Sequence, residues 1–185
     1  MAGRTAYKSE DKITNDSAAK FIAGIIKSGH ESVLEHVNLT IRFICDRGVT
    51  HEIVRHRLVA YTQESTRYCN YAKKGVTFIK PCFWFTEGHD YDLFYEHWLK
   101  CMEMCENTYD LLILNGATPQ QARSVLPNSL KTEIVCTANI REWRHIMRLR
   151  TTANAHPQMR ELMKPLLQEL RAKLPVLFND VGEVN

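Results

Sequence analysis

Long hydrophobic runs are missing from this sequence. No stretch reaches the ~18 apolar residues of a membrane-spanning helix. The N-terminal segment MAGRTAYKSEDK also lacks the apolar core of a signal peptide. The sequence therefore predicts a protein of the cytoplasm that does not enter a membrane.

Cysteine pairs of the Cys-x-x-Cys type are missing as well. The six cysteines are Cys45, Cys69, Cys82, Cys101, Cys105 and Cys136, and no two of them form a Cys-x-x-Cys pair. We therefore expect reduced thiols and no zinc site built from them. Cys101 and Cys105 are four positions apart, which predicts that both lie on the inner face of one helix.

The histidine spacing of a zinc protease is not met either. His51 and His56 resemble that motif, but they are five positions apart instead of four. Five helical residues turn the chain by ~500°, so the two rings point to different sides of the helix axis. We expect no metal ion on these residues.

The chain has no linker, internal repeat or low-complexity tract that would mark a second domain. Its 185 residues are 44% hydrophobic, enough for one core, and we expect a single domain over residues 1–185. The net charge of +3 is only mildly basic. It argues against a dedicated nucleic-acid binder but suits a protein with anionic ligands.

Hydrophobic periodicity predicts a mixture of helices and strands. Asn15 or Asp16 can cap a helix through Ser28, with Gly29 as its stop, and residues 37–45 alternate as in a half-buried strand. Further helices are predicted at 49–57, 90–114, from Thr118–Pro119 through Arg123, from Asn139 to Arg150, and from Pro157 with a bend at Pro165; further strands are predicted at 76–79 and 130–138. No βαβ rhythm is present, so the fold class is α+β.

The segment RHRLVAYTQESTRY at 55–68 carries the strongest chemical signal. Its arginines are permanently charged, so they face water or bind anions. The side chains of Arg55, His56 and Arg57 radiate in different directions, so at least one should face inward. We expect Ser65 and Arg67 to alternate on an extended segment and to form a phosphate clamp. A solvated basic strand is the alternative.

Two other groups of residues have a simpler interpretation. Arg141, Arg144 and Arg148 are spaced as one helical stripe, and we expect Arg144 and Arg148 to be solvated. Cys69 lies beside the cationic end of the 55–68 segment, where a thiol can be activated, but we interpret it as structural.

Four separated segments resemble the flavin-dependent thymidylate synthases. They are the Arg-His-Arg motif followed after seven residues by a serine, GHESVLEH at 29–36, ARSVLP at 122–127, and TANIREWRHIMRLR at 137–150. The resemblance covers residues 4–165. It implies a single α+β domain with a mostly antiparallel sheet flanked by helices, and a homotetramer whose subunits share active sites.

The resemblance implies reductive methylation of deoxyuridine monophosphate (dUMP) to thymidine monophosphate (dTMP). The one-carbon donor is methylenetetrahydrofolate, and FAD reduced by NADPH supplies the hydride. Such enzymes use no covalent enzyme nucleophile. The cofactor therefore carries the difficult chemistry, and the protein orients and polarises the reactants.

The resemblance also implies residue roles. FAD would be bound by Ser32, Arg55, His56, Arg57, Gln63, Asn139, Ile140, Arg141 and His145, with His30 as a weaker candidate. The nucleotide would be bound by Glu52, Ile53, Val54, Arg55, Gln63, Glu64, Ser65, Thr66, Arg67, Arg123 and Arg150. Arg150 would lie on the uracil ring and act in catalysis, because a guanidinium there favours the ionised N3 form of the base.

The sequence departs from the family pattern at several positions. Glu52 stands where Gln is frequent, Ala60 replaces a frequent Ser, His145 replaces Asn in some members, and His156 stands where Gln is common. An acidic Glu52 near a phosphate is unfavourable, and the alternatives are that it faces the ribose or pairs with an arginine. The sequence begins near the first matched arginine, Arg4, so we expect the sheet to lack the family's N-terminal strand.

Two other functions are compatible with the residues. One is a non-catalytic nucleotide-binding or RNA-binding module that uses the arginine-rich segments. The other is a flavin reductase that does not methylate a nucleotide.

Overall fold

The protein is described by a computed structural model that covers residues 1–82 and 91–182. The chain divides into two compact units. The first consists of residues 1–41, 58–60 and 137–185, and the second of residues 42–57 and 61–136. The expected single domain over 1–185 stays a prediction.

Three strands form one antiparallel sheet in the order β1-β3-β2. They are β1 (Asn38–Asp46), β2 (Ala60–Gln63) and β3 (Lys131–Asn139). With the helices named below, this confirms the α+β class and the strands predicted at 37–45 and 130–138. Thr132, Ile134, Cys136 and Ala138 all lie on the buried face of β3, as their alternation predicted.

The strand predicted at 76–79 is wrong in its extent. A single antiparallel bridge joins Phe78 to Leu130. Gly75 before it has a φ of 80°, and Pro81 after it has no N–H to donate. The antiparallel pairing of this segment beside the start of β3 is therefore limited to the residue pair Phe78 and Leu130.

Eight helices are described. They are α1 (Ala2–Ala6), α2 (Ser17–Lys27), α3 (Arg47–Ile53), α4 (Tyr91–Leu114), α5 (Pro119–Ala122), α6 (Ile140–Arg150), α7 (Pro157–Lys173) and α8 (Pro175–Phe178). The first predicted residue of the long helix, Asp90, lies outside the described residues. None of the helices in 1–82 and 91–182 combines the length and apolarity needed to cross a membrane.

In the first unit, the predicted ends of α2 and α6 are confirmed. Asp16 is the N-cap of α2, and Gly29 follows the helix with a φ of 71°, a conformation that glycine adopts without strain. Asn139 caps α6, since its side chain accepts a 2.9 Å bond from the Glu142 amide. The Trp143 indole donates to the Leu39 carbonyl at 2.9 Å and ties α6 to β1.

In the second unit, α3 begins and ends earlier than predicted. The Asp46 carboxylate accepts a 2.6 Å bond from the Val49 amide, which starts the helix at Arg47 instead of residue 49. The helix stops at Ile53, so Arg55 and Arg57 lie in the following turn. This places both arginines on a loop.

The helix start predicted at Thr118–Pro119 is confirmed, because Thr118 is the N-cap of α5 and Pro119 is its first residue. The expectation for Cys101 is wrong, because Cys101 is exposed. The inner side of α4 is occupied by Met102 and Tyr109. Adjacent helical residues differ by about 100° around the axis, so Cys101 points away from that side.

Candidate functional site

A turn after β2 contains the predicted phosphate-binding residues. The amides of Tyr68 and Cys69 donate to the Ser65 carbonyl at 3.2 and 3.0 Å, and the Arg67 amide donates to Ser65 Oγ at 3.3 Å. The expected extended segment is therefore wrong. Because β2 ends at Gln63, the turn brings Ser65 and Arg67 together, and strand alternation does not.

Two arginines are held at this turn by neutral partners. Arg67 Nε donates to Gln120 Oε1 at 2.8 Å, and Arg123 Nη1 donates to Thr66 Oγ1 at 3.3 Å. Both arginines are exposed, and within 1–82 and 91–182 no carboxylate pairs with either. Their positive charges are thus oriented but not neutralised, the condition for binding an anion.

The Arg-His-Arg motif has one inward and two outward side chains. His56 is 7% exposed, whereas Arg55 and Arg57 are exposed, which confirms that at least one side chain faces inward. The Tyr61 hydroxyl lies 2.7 Å from the Ile53 carbonyl and 2.8 Å from the His56 carbonyl. Tyr61 therefore holds the loop that carries the two arginines.

The residues just before the motif have different exposures. The Ile53 side chain is buried in the core, and Val54 is 40% exposed. Glu52 is half-buried and engaged in contacts. The Ile53 carbonyl already accepts a hydrogen bond from the Tyr61 hydroxyl. Neither this carbonyl nor the buried Ile53 side chain is therefore well placed to bind a ligand.

Gln63 is held on the inner side of the sheet. Its amide Nε2 donates to Thr50 Oγ1 at 3.0 Å and to Thr132 Oγ1 at 3.3 Å. Both threonines are fully buried. The side chain of Gln63 is therefore fixed before any ligand arrives.

Glu64 points to the other face of the sheet. Its carboxylate accepts a 2.9 Å bond from the Tyr71 hydroxyl and lies 3.5 Å from Lys131 Nζ. These groups line a cavity of about 600 Å³, together with Arg42, Thr62, Gln63, Cys69, Lys74, Gly75, Thr77, Glu133 and Val135. Burial and the bond to Glu64 raise the pKa of Tyr71. The Glu64 carboxylate therefore already has two partners within the protein. Its nucleotide role stays a prediction.

In the first unit, Ser32 lies in a 3₁₀ segment at Glu31–His36 that is joined to α6. Arg141 Nη1 donates to Glu35 at 2.5 Å, and Arg141 Nε lies 3.6 Å from Glu31. Ser32 is exposed between these two acids. The segment predicted to approach the flavin is therefore anchored on both sides of its serine.

The predicted residues on α6 differ in what they can offer a ligand. The Ile140 side chain is buried and its amide donates to the Val37 carbonyl at 2.9 Å. Because Ile140 is the first residue of α6, its carbonyl belongs to the hydrogen-bond ladder of the helix. The Asn139 Oδ1 atom is used in the helix cap. His145 is exposed and Arg150 is half-buried, and both are engaged in contacts. Their cofactor and substrate roles stay predictions.

The expectation of a solvated Arg144 is wrong. Its side chain is 1% exposed and donates to both oxygens of Asp180, at 2.7 and 2.6 Å, and to the Leu177 carbonyl. The hydrogen bonds from Arg144 hold the pKa of Asp180 below its ordinary value. Arg148 stays 37% exposed, 3.7 Å from Glu31 and 3.8 Å from Asp180.

The buried thiols are poor nucleophiles. Burial raises the pKa of Cys45 and that of Cys136 to about 12, so both stay protonated near neutral pH. Among the residues that the structure describes, no group of three His, Cys, Asp or Glu side chains is arranged to hold a metal ion.

Residues 1–176 match the family described as "Thymidylate synthase complementing protein". A curated flavin-dependent thymidylate synthase from Pyrococcus furiosus is 35% identical over 171 residues, which are 91% of this chain and 68% of the relative. The chain belongs to this family.

Other flavin-dependent thymidylate synthases support the assignment. The protein from Geobacter sulfurreducens is 30% identical over 189 residues, covering 98% of this chain and 80% of the relative. A probable member from Mycobacterium phage D29 is 31% identical over 191 residues, covering 98% and 81%. The family, the enzyme class and the dependence on flavin predicted from the sequence are confirmed.

Several residues that shape the site of this flavin-dependent thymidylate synthase were missed by sequence reasoning. Thr50 and Thr132 hold Gln63, Gln120 holds Arg67, and Tyr71 holds Glu64. Thr132 has the spacing of a core residue, and the others are ordinary polar residues of a helix or loop. The paired residues are 7 to 69 positions apart and meet only through the packing of turns, helices and strands, so no local pattern could indicate them.

Proposed function

We propose that this chain catalyses the reductive methylation of dUMP to dTMP. Methylenetetrahydrofolate is the one-carbon donor, and NADPH reduces the FAD. The observation that supports the nucleotide assignment most directly is the pair of oriented, unneutralised arginines at the turn after β2. Residues 1–185 act in this reaction as one domain.

The turn suits a phosphate monoester. Arg67 has its Nε bonded to Gln120, which leaves its terminal nitrogens as donors, and the Ser65 hydroxyl lies on the same turn. Arg123 adds a second guanidinium. A dianionic phosphate accepts several such bonds at once, and guanidinium groups match its geometry. We assign the nucleotide phosphate to Ser65, Arg67 and Arg123.

The Arg-His-Arg loop fits the pyrophosphate of FAD. Arg55 and Arg57 are exposed on either side of the buried His56, and in the described part of the chain no carboxylate pairs with them. Two cations can each donate to one phosphate of a pyrophosphate. FAD supplies the hydride chemistry when it is bound. Ser32, Asn139, Ile140, Arg141 and His145 are proposed to complete its site.

The chain itself orients and polarises the nucleotide. Arg150 is proposed to hold the uracil ring with N3 ionised, because a neighbouring cation favours the anionic form of a titrating group. No enzyme nucleophile is required, and the buried thiols of Cys45 and Cys136 stay protonated. Glu52, Ile53, Val54, Glu64 and Thr66 are proposed to border the nucleotide by position in the chain.

We propose a homotetramer in the cytoplasm. Leu93, Met104 and Leu111 on α4 are 45%, 69% and 57% exposed. Their spacings of eleven and seven residues place them within about 20° of one another around the helix axis. An exposed apolar stripe of this kind supports contacts between subunits. No disulfide joins any of the six cysteines, all of which lie in the described residues, and this supports a reducing compartment.

A direct assay tests the proposal. The purified protein is expected to absorb visible light as a flavoprotein. It should also release tritium from 5-tritiated dUMP when FAD, NADPH and methylenetetrahydrofolate are all present. A colourless protein that takes up no added FAD would contradict the proposal, and RNA binding by that protein would favour the non-catalytic alternative. NADPH oxidation that does not respond to dUMP, without tritium release, would indicate a flavin reductase.

A further inference from the structure

The amide of Gln63 is held from inside the protein by two buried hydroxyl groups. Its Nε2 has two protons, which are donated to Thr50 Oγ1 at 3.0 Å and to Thr132 Oγ1 at 3.3 Å. Both threonines have 0% exposure, so water does not compete for these bonds. The amide nitrogen is therefore fully used on the inner side.

Thr50 determines the orientation of the Gln63 side-chain amide. Its hydroxyl donates to the Arg47 carbonyl at 2.9 Å, and a hydroxyl has one proton. Thr50 Oγ1 can therefore only accept from Gln63. A flipped amide would place Oε1 against an oxygen that has no proton to give, so the hydrogen-bond network fixes the orientation.

The fixed orientation turns the Gln63 Oε1 atom outward. In the part of the chain that the structure describes, no group donates to this atom, and it is not among the buried polar atoms that lack a partner. It is therefore accessible. At the end of β2, next to the Ser65 turn, the protein presents a hydrogen-bond acceptor with no donor beside it.

We infer that Thr50 is a positioning residue for the nucleotide: through Gln63 it presents an acceptor to a hydroxyl of the nucleotide sugar. The inference rests on the proposed function, which places the phosphate at Ser65, Arg67 and Arg123. In a nucleoside 5′-monophosphate the sugar is bonded directly to the phosphate. Gln63 is two residues before Ser65 in the chain, and we assign the sugar that follows the phosphate to its acceptor. In a 2′-deoxynucleotide the donor is the 3′-hydroxyl.

The experiment compares dUMP with 2′,3′-dideoxyuridine monophosphate, which lacks that hydroxyl. Dissociation constants are measured by calorimetry for the flavin-loaded wild type and for Thr50→Val and Thr50→Ser. The wild type should prefer dUMP by about tenfold, the worth of one hydrogen bond. Thr50→Val should bind dUMP about tenfold more weakly and lose most of the preference. Thr50→Ser keeps the hydroxyl and should therefore keep the preference for dUMP.

Two further variants serve as a check and a control. Thr132→Val removes the second acceptor of the Gln63 amide. It should reduce the preference for dUMP over 2′,3′-dideoxyuridine monophosphate. Thr108→Val is the matched control, because the exposed Thr108 hydroxyl makes a similar helix bond, to the Met104 carbonyl at 2.7 Å. It should behave as the wild type.

Defined results would overturn the inference. One is a Thr50→Val protein that still prefers dUMP tenfold, and another is one that loses affinity for both nucleotides equally, which would show a merely structural role. A change in FAD affinity with an unchanged nucleotide preference would assign Gln63 to the flavin instead. A wild type that binds no dUMP would overturn the proposed function as well, and that result is distinguishable from the others.

Discussion

Arg67 is the residue at which charge and geometry combine most clearly. Its Nε is fixed by Gln120 at 2.8 Å, and its ring-stacking neighbour Tyr68 lies 5.5 Å from the guanidinium carbon. Because the guanidinium is held by neutral groups, its full charge is available to a ligand. A lysine would keep the charge and lose the planar pair of donors.

We predict that Arg67→Ala weakens dUMP binding roughly 100-fold, because two charge-assisted bonds to the phosphate are lost. Arg67→Lys should weaken it by about tenfold, since one point charge replaces the fork. Calorimetric titration of the flavin-loaded protein measures both. Lys27→Ala, which removes an exposed cation of α2, is the control and should leave the affinity unchanged. An Arg67→Ala protein with wild-type affinity would remove the phosphate assignment.

At the scale of elements, one buried arginine joins α6 to the end of the chain. Arg144 on α6 bonds to Asp180 and to the Leu177 carbonyl of α8, and its Nη2 lies 3.7 Å from Glu31. A buried cation that loses its acid is strongly destabilising. The position of α6, which carries Arg141, His145 and Arg150, therefore depends on a segment more than thirty residues later.

This ion pair predicts an acid-sensitive contribution to stability. The pKa of Asp180 is lowered in the folded state, mainly by the hydrogen bonds from Arg144. The pair therefore contributes fully above the ordinary aspartate value of 3.8, and the contribution is lost as the pH falls through the lower folded value. We predict that Asp180→Asn lowers the free energy of unfolding by about 2 kcal/mol at neutral pH and by less in acid. Urea unfolding at several pH values measures this.

Glu161→Gln is the control for that measurement. Glu161 is exposed on α7, and a solvated carboxylate contributes little to stability. Its neutralisation should leave the pH dependence as in the wild type. If Asp180→Asn and the wild type lose stability in parallel as the pH falls, the acid sensitivity does not come from this pair.

For the whole molecule, we predict that the stripe of Leu93, Met104 and Leu111 on α4 holds subunits together. Leu111→Glu would place a charge in a desolvated contact, which is unfavourable, so it should shift the protein to smaller species. Sedimentation velocity measures the shift. Ile13→Glu changes an equally apolar residue that is 48% exposed outside α4, and it should leave the assembly intact. A Leu111→Glu protein of unchanged mass would contradict the assignment of this stripe.

The local elements of the fold could be predicted because their signals lie in neighbouring residues. Asp16 and Gly29 mark the ends of α2, Asn139 starts α6, and the alternation from Thr132 to Ala138 marks the buried face of β3. Caps, turns and periodicity depend on residues a few positions apart, so the sequence alone predicts them. The family and its flavin dependence were predicted from motifs of the same local kind.

The arrangement of the site was decided by contacts between distant residues. Gln63 meets Thr132 across 69 positions, Arg67 meets Gln120 across 53, and Arg144 meets Asp180 across 36. Whether Arg144 is solvated or buried, and whether Ser65 and Arg67 meet on a strand or in a turn, depends on which elements pack beside them. The sequence by itself determined which charges and donors this enzyme has, because composition and spacing are local. Only the tertiary structure decided which of them face one another, because burial and hydrogen-bond partners exist only once the chain has folded.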